Sequence, residues 1–244
     1  MNLEGKIILV IGASRGIGAE IAKSLTKKKA KPIALARSPI DYECEYFKFD
    51  ITDDDSIQAL GKYIEKKHKF IEGIVFASAI SLPPNRNETQ EKRNLQHPLL
   101  FNEIITTNLI SIYKCVYCLK DLFVENSSIV MISSIGAHLA FPDNPGYQVS
   151  KAGLESLARS LAYDLGNKKI RSNSVALGYF KTSMTSASYK NEEMRKKRTK
   201  RTILNRWGDP KEVTGAVNFL LSTDSSYVTG TNIVIDGGWS SKGL

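Results

Sequence analysis

Cysteine and histidine are scarce in this chain, three of each among 244 residues. An odd cysteine count argues against a disulfide framework. Cys115-Val-Tyr-Cys118 lacks the four ligands of a structural zinc site, since Cys44 is the one cysteine left. It also lies within a helical stretch, not at the strand–helix junction a redox dithiol occupies, so it reads as core packing. His68, His97 and His138 are too scattered for a metal centre, and no metal is expected. No apolar run approaches the roughly 20 residues that cross a bilayer. The N-terminus lacks a signal-peptide pattern, so the expectation is a cytoplasmic protein without a membrane partner. Repeats and linkers are missing too, which points to one domain over residues 1–244.

What is present is a globular composition, 42% hydrophobic and 24% charged, which excludes disorder and collagen-like repetition. Apolar runs at Lys6–Ile11, Pro32–Ala36, Tyr46–Phe49, Gly73–Ala77, Ser128–Ser133, Ile170–Ala176 and Thr231–Ile235 have the composition of strands, most of them buried on both faces. Between them lie helical patterns: one carrying Ile17, Ile21, Ala22 and Leu25, one opened by Asp53, then Ile104 to Val124, Tyr147 to Leu165 and Asp209–Leu221. Alternation of this kind predicts an α/β, Rossmann-like doubly wound sheet of about seven parallel strands with helices on both faces. Its ligand crevice belongs at the carboxyl ends of the strands. Two stretches break the rhythm: polar Ser81–His97, read as a loop, and polar, strongly basic Thr185–Arg206.

Gly12, Gly16 and Gly18 separate the first strand from the first helix. Glycine there permits a tight turn and close approach of a pyrophosphate, and the helix N-terminus offers free N–H groups to the phosphates. The spacing is G-x-x-x-G-x-G, not the common G-x-G-x-x-G. Where an NAD site places a carboxylate after the second strand, this chain has Ala36 and then Arg37, with Arg15 inside the glycine turn. Two guanidiniums without that carboxylate suit a 2′-phosphate, which favours NADP(H) over NAD. Two solvated arginines are the plain alternative.

Tyr147 and Lys151 are four apart at the start of a helix and share a face. A phenol titrates near 10, and a neighbouring cation can bring its proton into use at neutral pH. Ser134 ends the fifth strand and can reach the same crevice. Alone, such a pair can equally be one buried tyrosine and one solvated lysine.

Together these features resemble the short-chain dehydrogenase/reductase family, within it the 3-oxoacyl-acyl-carrier-protein reductases. The likeness runs through Gly12-x-x-x-Gly16-Ile17-Gly18, Asp50, Asn108, Ser133-Ser134, Tyr147-x-x-x-Lys151 and Asn173-x-x-x-x-Gly178-x-x-x-Thr182. It continues through Arg206-x-Gly208-Asp209-Pro210, Tyr227-Val228-Thr229-Gly230 and Asp236-Gly237-Gly238. The resemblance implies that Tyr147 is a general acid, with Ser134 bonding the substrate oxygen. Lys151 would bind the nicotinamide ribose and lower the tyrosine's pKa, and Asn108 would hold a water that links Lys151 to solvent. It further implies cofactor contacts at Ser14, Arg15, Ile17, Arg37, Asp50, Ile51, Ala77, Gly178 and Thr182, besides the three glycines. The implied activity is reduction of a ketone, such as a 3-oxoacyl thioester, to a secondary alcohol. A specialised reductase of cyclic ketones or alcohols, or a catalytically impaired nucleotide-binding protein, are the alternatives. Assembly would be a homotetramer or homodimer through the two long helices. Phe76-Ala77-Ser78-Ala79 departs from the family's Asn-Asn-Ala-Gly, losing two amide side chains and a glycine beside the cofactor.

The net charge is +9. Lys190–Arg206 holds eight basic residues against Glu192 and Glu193, a net +6. In the family this stretch covers the substrate pocket, so the run could attract an acyl group on an acidic carrier protein or a coenzyme A ester. A solvated helix fits it as well. No aromatic residue punctuates the run, and no nucleic-acid partner is expected.

Overall fold

The computed structural model describes residues 1–81 and 95–243. Seven strands form one sheet: β1 (Ile7–Ile11), β2 (Lys31–Ala36), β3 (Glu45–Lys48), β4 (Ile71–Phe76), β5 (Phe123–Ser134), β6 (Arg171–Leu177) and β7 (Asn232–Ile235). Their order is β3-β2-β1-β4-β5-β6-β7, and every pairing is parallel. All residues of β1 and β6 are buried: β1 is an unbroken apolar run, as a strand covered on both faces requires, and in β6 the Arg171 and Asn173 side chains are hydrogen-bonded to Ser225, Ser222 O and Val228 O.

One face is covered by α1 (Gly16–Lys27) and α8 (Thr214–Leu221), whose Ile21, Leu25, Val217 and Leu220 pack on Ile8, Val10 and Val175. The other carries α2 (Asp54–Lys67), α4 (Ser111–Leu119) and α5 (Pro145–Asp164), packing Leu60, Ile112 and Leu154 on Leu9, Ile74 and Met131. Local chemistry fixes the helix ends. Asp53 caps α2 by accepting from Asp55 N, and acidic residues in its first turn and lysines in its last complement the helix dipole.

The expected helix over Ile104–Val124 is corrected at both ends. Helix α3 (Pro98–Ile105) begins earlier, where His97 caps Leu99 N and Pro98 stands in the first turn. A π-turn, Thr106–Ile110, joins it to α4. The helix stops at Leu119, and Phe123 already pairs with Ile71 as strand. Leu122, Phe123 and Val124 are apolar enough for either state, and sheet pairing decides. The basic stretch forms α6 (Ser186–Lys190) and α7 (Glu192–Arg201). Of the polar Ser81–His97 stretch, residues 82–94 lie outside the described residues. Among the described residues, no helix is long and apolar enough to cross a membrane and no acid, histidine and cysteine group could hold a metal ion.

Candidate active site

A cleft of about 910 Å³ opens at the carboxyl ends of the strands, where the doubly wound topology places it. The glycine turn forms one end. Gly12 and Gly16 have φ of +84° and +60°, conformations that side chains other than glycine's adopt only under strain. A Cβ on Gly12 would stand 2.6 Å from Ser78 N, and one on Gly18 would run into the Gly12 carbonyl. Gly12 and Gly16 line the cleft with Ser14, Arg15 and Ile17, while Gly18 is buried behind them. No side chain caps the start of α1 and no acid stands in its first turn, so its N–H groups remain open to an anion. This donor set and the Cβ-free cradle fit a dinucleotide pyrophosphate.

Arg37, Asp50 and Ile51 line the neighbouring wall. A carboxylate does enter here, from beyond β3 instead of the end of β2: Asp50 Oδ2 stands 3.9 Å from Arg37 Nη1. Burial pushes the Asp50 carboxyl up, but hydrogen bonds from Thr52 N and Oγ1, at 2.9 and 2.7 Å, and the Arg37 charge outweigh it and hold the group below its usual range. Arg37 is 73% exposed, leaving most of its guanidinium open. Tyr42, which the sequence pattern did not single out, braces this wall by donating from its hydroxyl to Ala13 O at 2.7 Å.

Ser134, Tyr147 and Lys151 meet at the far end of the cleft, with Ala77, Gly178 and Thr182 on its walls. The Ser134 hydroxyl accepts from Gly136 N and bonds the Tyr147 phenol. Burial raises the phenol's pKa above its ordinary value, the Ser134 bond draws it back and nearby Tyr179 raises it further. Lys151, one turn along α5, is buried, and burial lowers it to about 8. Its Nζ donates to Ile132 O at 2.7 Å and lies 5.6 Å from the centre of the Tyr147 ring.

Asn108 lies one layer behind the wall, fully buried in the π-turn. Its Oδ1 accepts from Ile80 N and its Nδ2 donates to Ile80 O, both at 2.9 Å, with a further bond to Ser150 Oγ at 3.2 Å. The amide therefore pins the strand exit after β4, a role only the fold reveals. Ala79 takes no positive φ, so alanine in place of the family's glycine costs no backbone strain. Ser78 Oγ is buried without a hydrogen-bond partner among the described residues.

Beside Tyr147 stand rings from separate segments: Tyr179 contacts Trp239 at 5.0 Å, Trp207 at 5.2 Å and Phe141 at 6.3 Å between centroids. The basic run divides over them. Arg198 lies 4.3 Å over Tyr179 and Arg195 5.6 Å over Tyr189, while Lys196 pairs with Glu192 and Arg206 with Glu212. Lys190, Lys197, Lys200 and Arg201 are exposed. Cys115 is buried and Cys118 exposed, neither in a disulfide.

A parallel seven-stranded sheet with a glycine turn at one end of its cleft and a serine, tyrosine and lysine at the other defines a nicotinamide-dependent oxidoreductase fold. Residues 12–240 match the family model described as Enoyl-(Acyl carrier protein) reductase. The chain belongs to the short-chain dehydrogenase/reductase family, oxidoreductases of carbonyl and alcohol groups. It is 32% identical over 249 residues to the 3-oxoacyl-[acyl-carrier-protein] reductase FabG of Vibrio harveyi, covering 98% of each chain. It is 30% identical to gluconate 5-dehydrogenase of Gluconobacter oxydans, over 97% of this chain and 95% of that one. Among solved structures it is similar to ligand-free aldohexose dehydrogenase of Thermoplasma acidophilum, with a TM-score of 0.89, 26% identity and coverage of 99% and 96%.

Proposed function

We propose that this single-domain protein is an NADP(H)-dependent reductase that converts a ketone to a secondary alcohol, with a 3-oxoacyl thioester as the leading substrate class. The observation that carries it is the convergence of Ser134, Tyr147 and Lys151 at the end of the cleft away from the phosphate-binding turn. The nicotinamide, when bound, supplies the hydride for the carbonyl carbon. Tyr147, kept protonated by its raised pKa, gives its proton to the carbonyl oxygen as charge develops there. Ser134 bonds that oxygen and orients it. Lys151 would hold the ribose hydroxyls, and its cation beside the phenol stabilises the phenolate that forms, easing proton release. Asn108 would hold a water that links Lys151 to solvent, while its side chain is bonded to Ile80 and Ser150. Gly12, Ser14, Gly16, Ile17 and Gly18 cradle the pyrophosphate, Asp50, Ile51 and Ala77 flank the adenosine half, and Gly178 and Thr182 face the nicotinamide. Arg15 and Arg37 take the 2′-phosphate.

The spacing of Tyr147 and Lys151 supports carbonyl chemistry over the enoyl reduction that the family description names. A second reading, a cyclic or polyhydroxylated alcohol or ketone, is favoured by the rings of Phe141, Tyr179 and Trp239, which suit the face of a compact substrate. Exposed Tyr113, Tyr117 and Val149 on α4 and α5 support a homotetramer or homodimer. Fluorescence titration tests the cofactor assignment: NADPH should bind about tenfold or more tightly than NADH, and Arg37→Ala should erase most of the difference. Equal binding by the wild type would remove it. Tyr147→Phe should abolish ketone-dependent NADPH oxidation while still binding cofactor.

A further inference from the structure

One buried carboxylate stands next to the reacting groups without belonging to them. Glu155 follows Tyr147 and Lys151 at four-residue steps along the same stripe of α5, and is only 7% exposed. Both of its oxygens are taken. Oε1 accepts from Ser133 Oγ at 2.9 Å, and Oε2 is 2.6 Å from His138 Nε2. Ser133 precedes Ser134, and His138 ends the tight turn that starts there, where Ser134 Oγ accepts from Gly136 N and His138 N donates to Ile135 O. The segment bearing Ser134 is thus bonded at both ends to one carboxylate, on the helix that bears Tyr147.

We propose that Glu155 is a positioning residue: it clamps the 133–138 segment onto α5 and so sets the Ser134 hydroxyl against the Tyr147 phenol. This rests on the roles given above to Ser134 and Tyr147. Neither partner depends on Glu155 for its own solvation. The single Ser133 proton also reaches Lys151 O, at 3.1 Å, and His138 is 37% exposed and can turn to water. Removing the carboxylate therefore frees the His138 end of the segment and leaves the Ser133 end held by Lys151 O alone, without stranding a buried polar group. Replacing a buried charge with an apolar side chain is in itself often neutral or stabilising.

That separates positioning from mere stability. Glu155→Met should unfold within a few degrees of the wild type and bind NADPH with the same affinity. Its kcat should nevertheless fall by about tenfold or more, because a small displacement of a reacting group is enough for such losses. KM should change far less than kcat. Glu155→Gln, which can still accept from one partner and bond the other, should recover most of kcat. His138→Ala removes only the exposed half of the clamp and should show a smaller kcat loss with cofactor binding intact. This variant decides the matter if Glu155→Met fails to fold. Full kcat in both Glu155→Met and His138→Ala would overturn the proposal, as would a kcat loss in a folded Glu155→Met that only follows lost cofactor binding, or full kcat in His138→Ala where Glu155→Met does not fold. A wild type that turns over no ketone, or an active Tyr147→Phe, would instead defeat the underlying reading.

Discussion

Lys151 is a charge the folded protein holds at a cost to its own stability. With no cofactor bound, burial takes its pKa from 10.5 to about 8, which at 1.36 kcal/mol per pH unit is about 3 kcal/mol lost near neutrality. Lys151→Met removes that penalty and also removes the bond to Ile132 O, about 1 kcal/mol. The net expectation is a gain of about 2 kcal/mol, or a melting temperature about 5 °C higher at pH 7 for a chain of this size. Between pH 8 and 10.5 the unfolded chain still binds a proton that the folded chain has released, so wild-type stability rises with pH relative to the variant. The gap should be constant below pH 8, shrink through that window and end about 1 kcal/mol in favour of the wild type above it, because the bond to Ile132 O is still missing from the variant. Urea unfolding of both cofactor-free proteins at pH 7, 9 and 10.5 measures this, with NADPH-dependent turnover of the variant expected to be lost. A variant less stable than wild type at pH 7, or a gap that ignores pH, would refute the reasoning.

Two further outcomes follow from the same geometry. Asn108→Ala leaves both polar groups of Ile80 without their partner, and should lower stability by about 2–4 kcal/mol in urea unfolding and weaken NADPH binding, since Ile80 lines the cleft. Replacing exposed Lys197, Lys200 and Arg201 with glutamine should raise KM for an acyl-carrier-bound 3-oxoacyl substrate several-fold at low salt, with little effect on a small ketone; an unchanged KM would make the run a solvated face.

The sheet, its parallel sense and the position of the cleft were legible because strands buried on both faces leave apolar runs, as β1 does throughout, β4 over Gly73–Phe76 and β6 over Val175–Leu177. The helix over 104–124 was legible only in part. A π-turn leaves no signature in hydrophobic period, and Leu122 to Val124 satisfy helix and strand alike until β4 claims them. Glu155 could have been noticed as an acidic residue in register with Tyr147 and Lys151, but nothing in the sequence says that β5 and the turn after it lie against that stripe.

Three cysteines and three scattered histidines already favour tyrosine, lysine and serine over metal or disulfide chemistry. By itself the sequence determined which residues could form the phosphate turn and the reacting pair, because glycine's freedom and the helical period are local properties. Only the tertiary structure decided the rest: that Asp50 meets Arg37, that Asn108 grips Ile80, that Arg198 lies on Tyr179 and that Glu155 holds both ends of one turn. Each joins residues far apart in the chain, and the charge and bonding of a side chain depend on what packing brings to it.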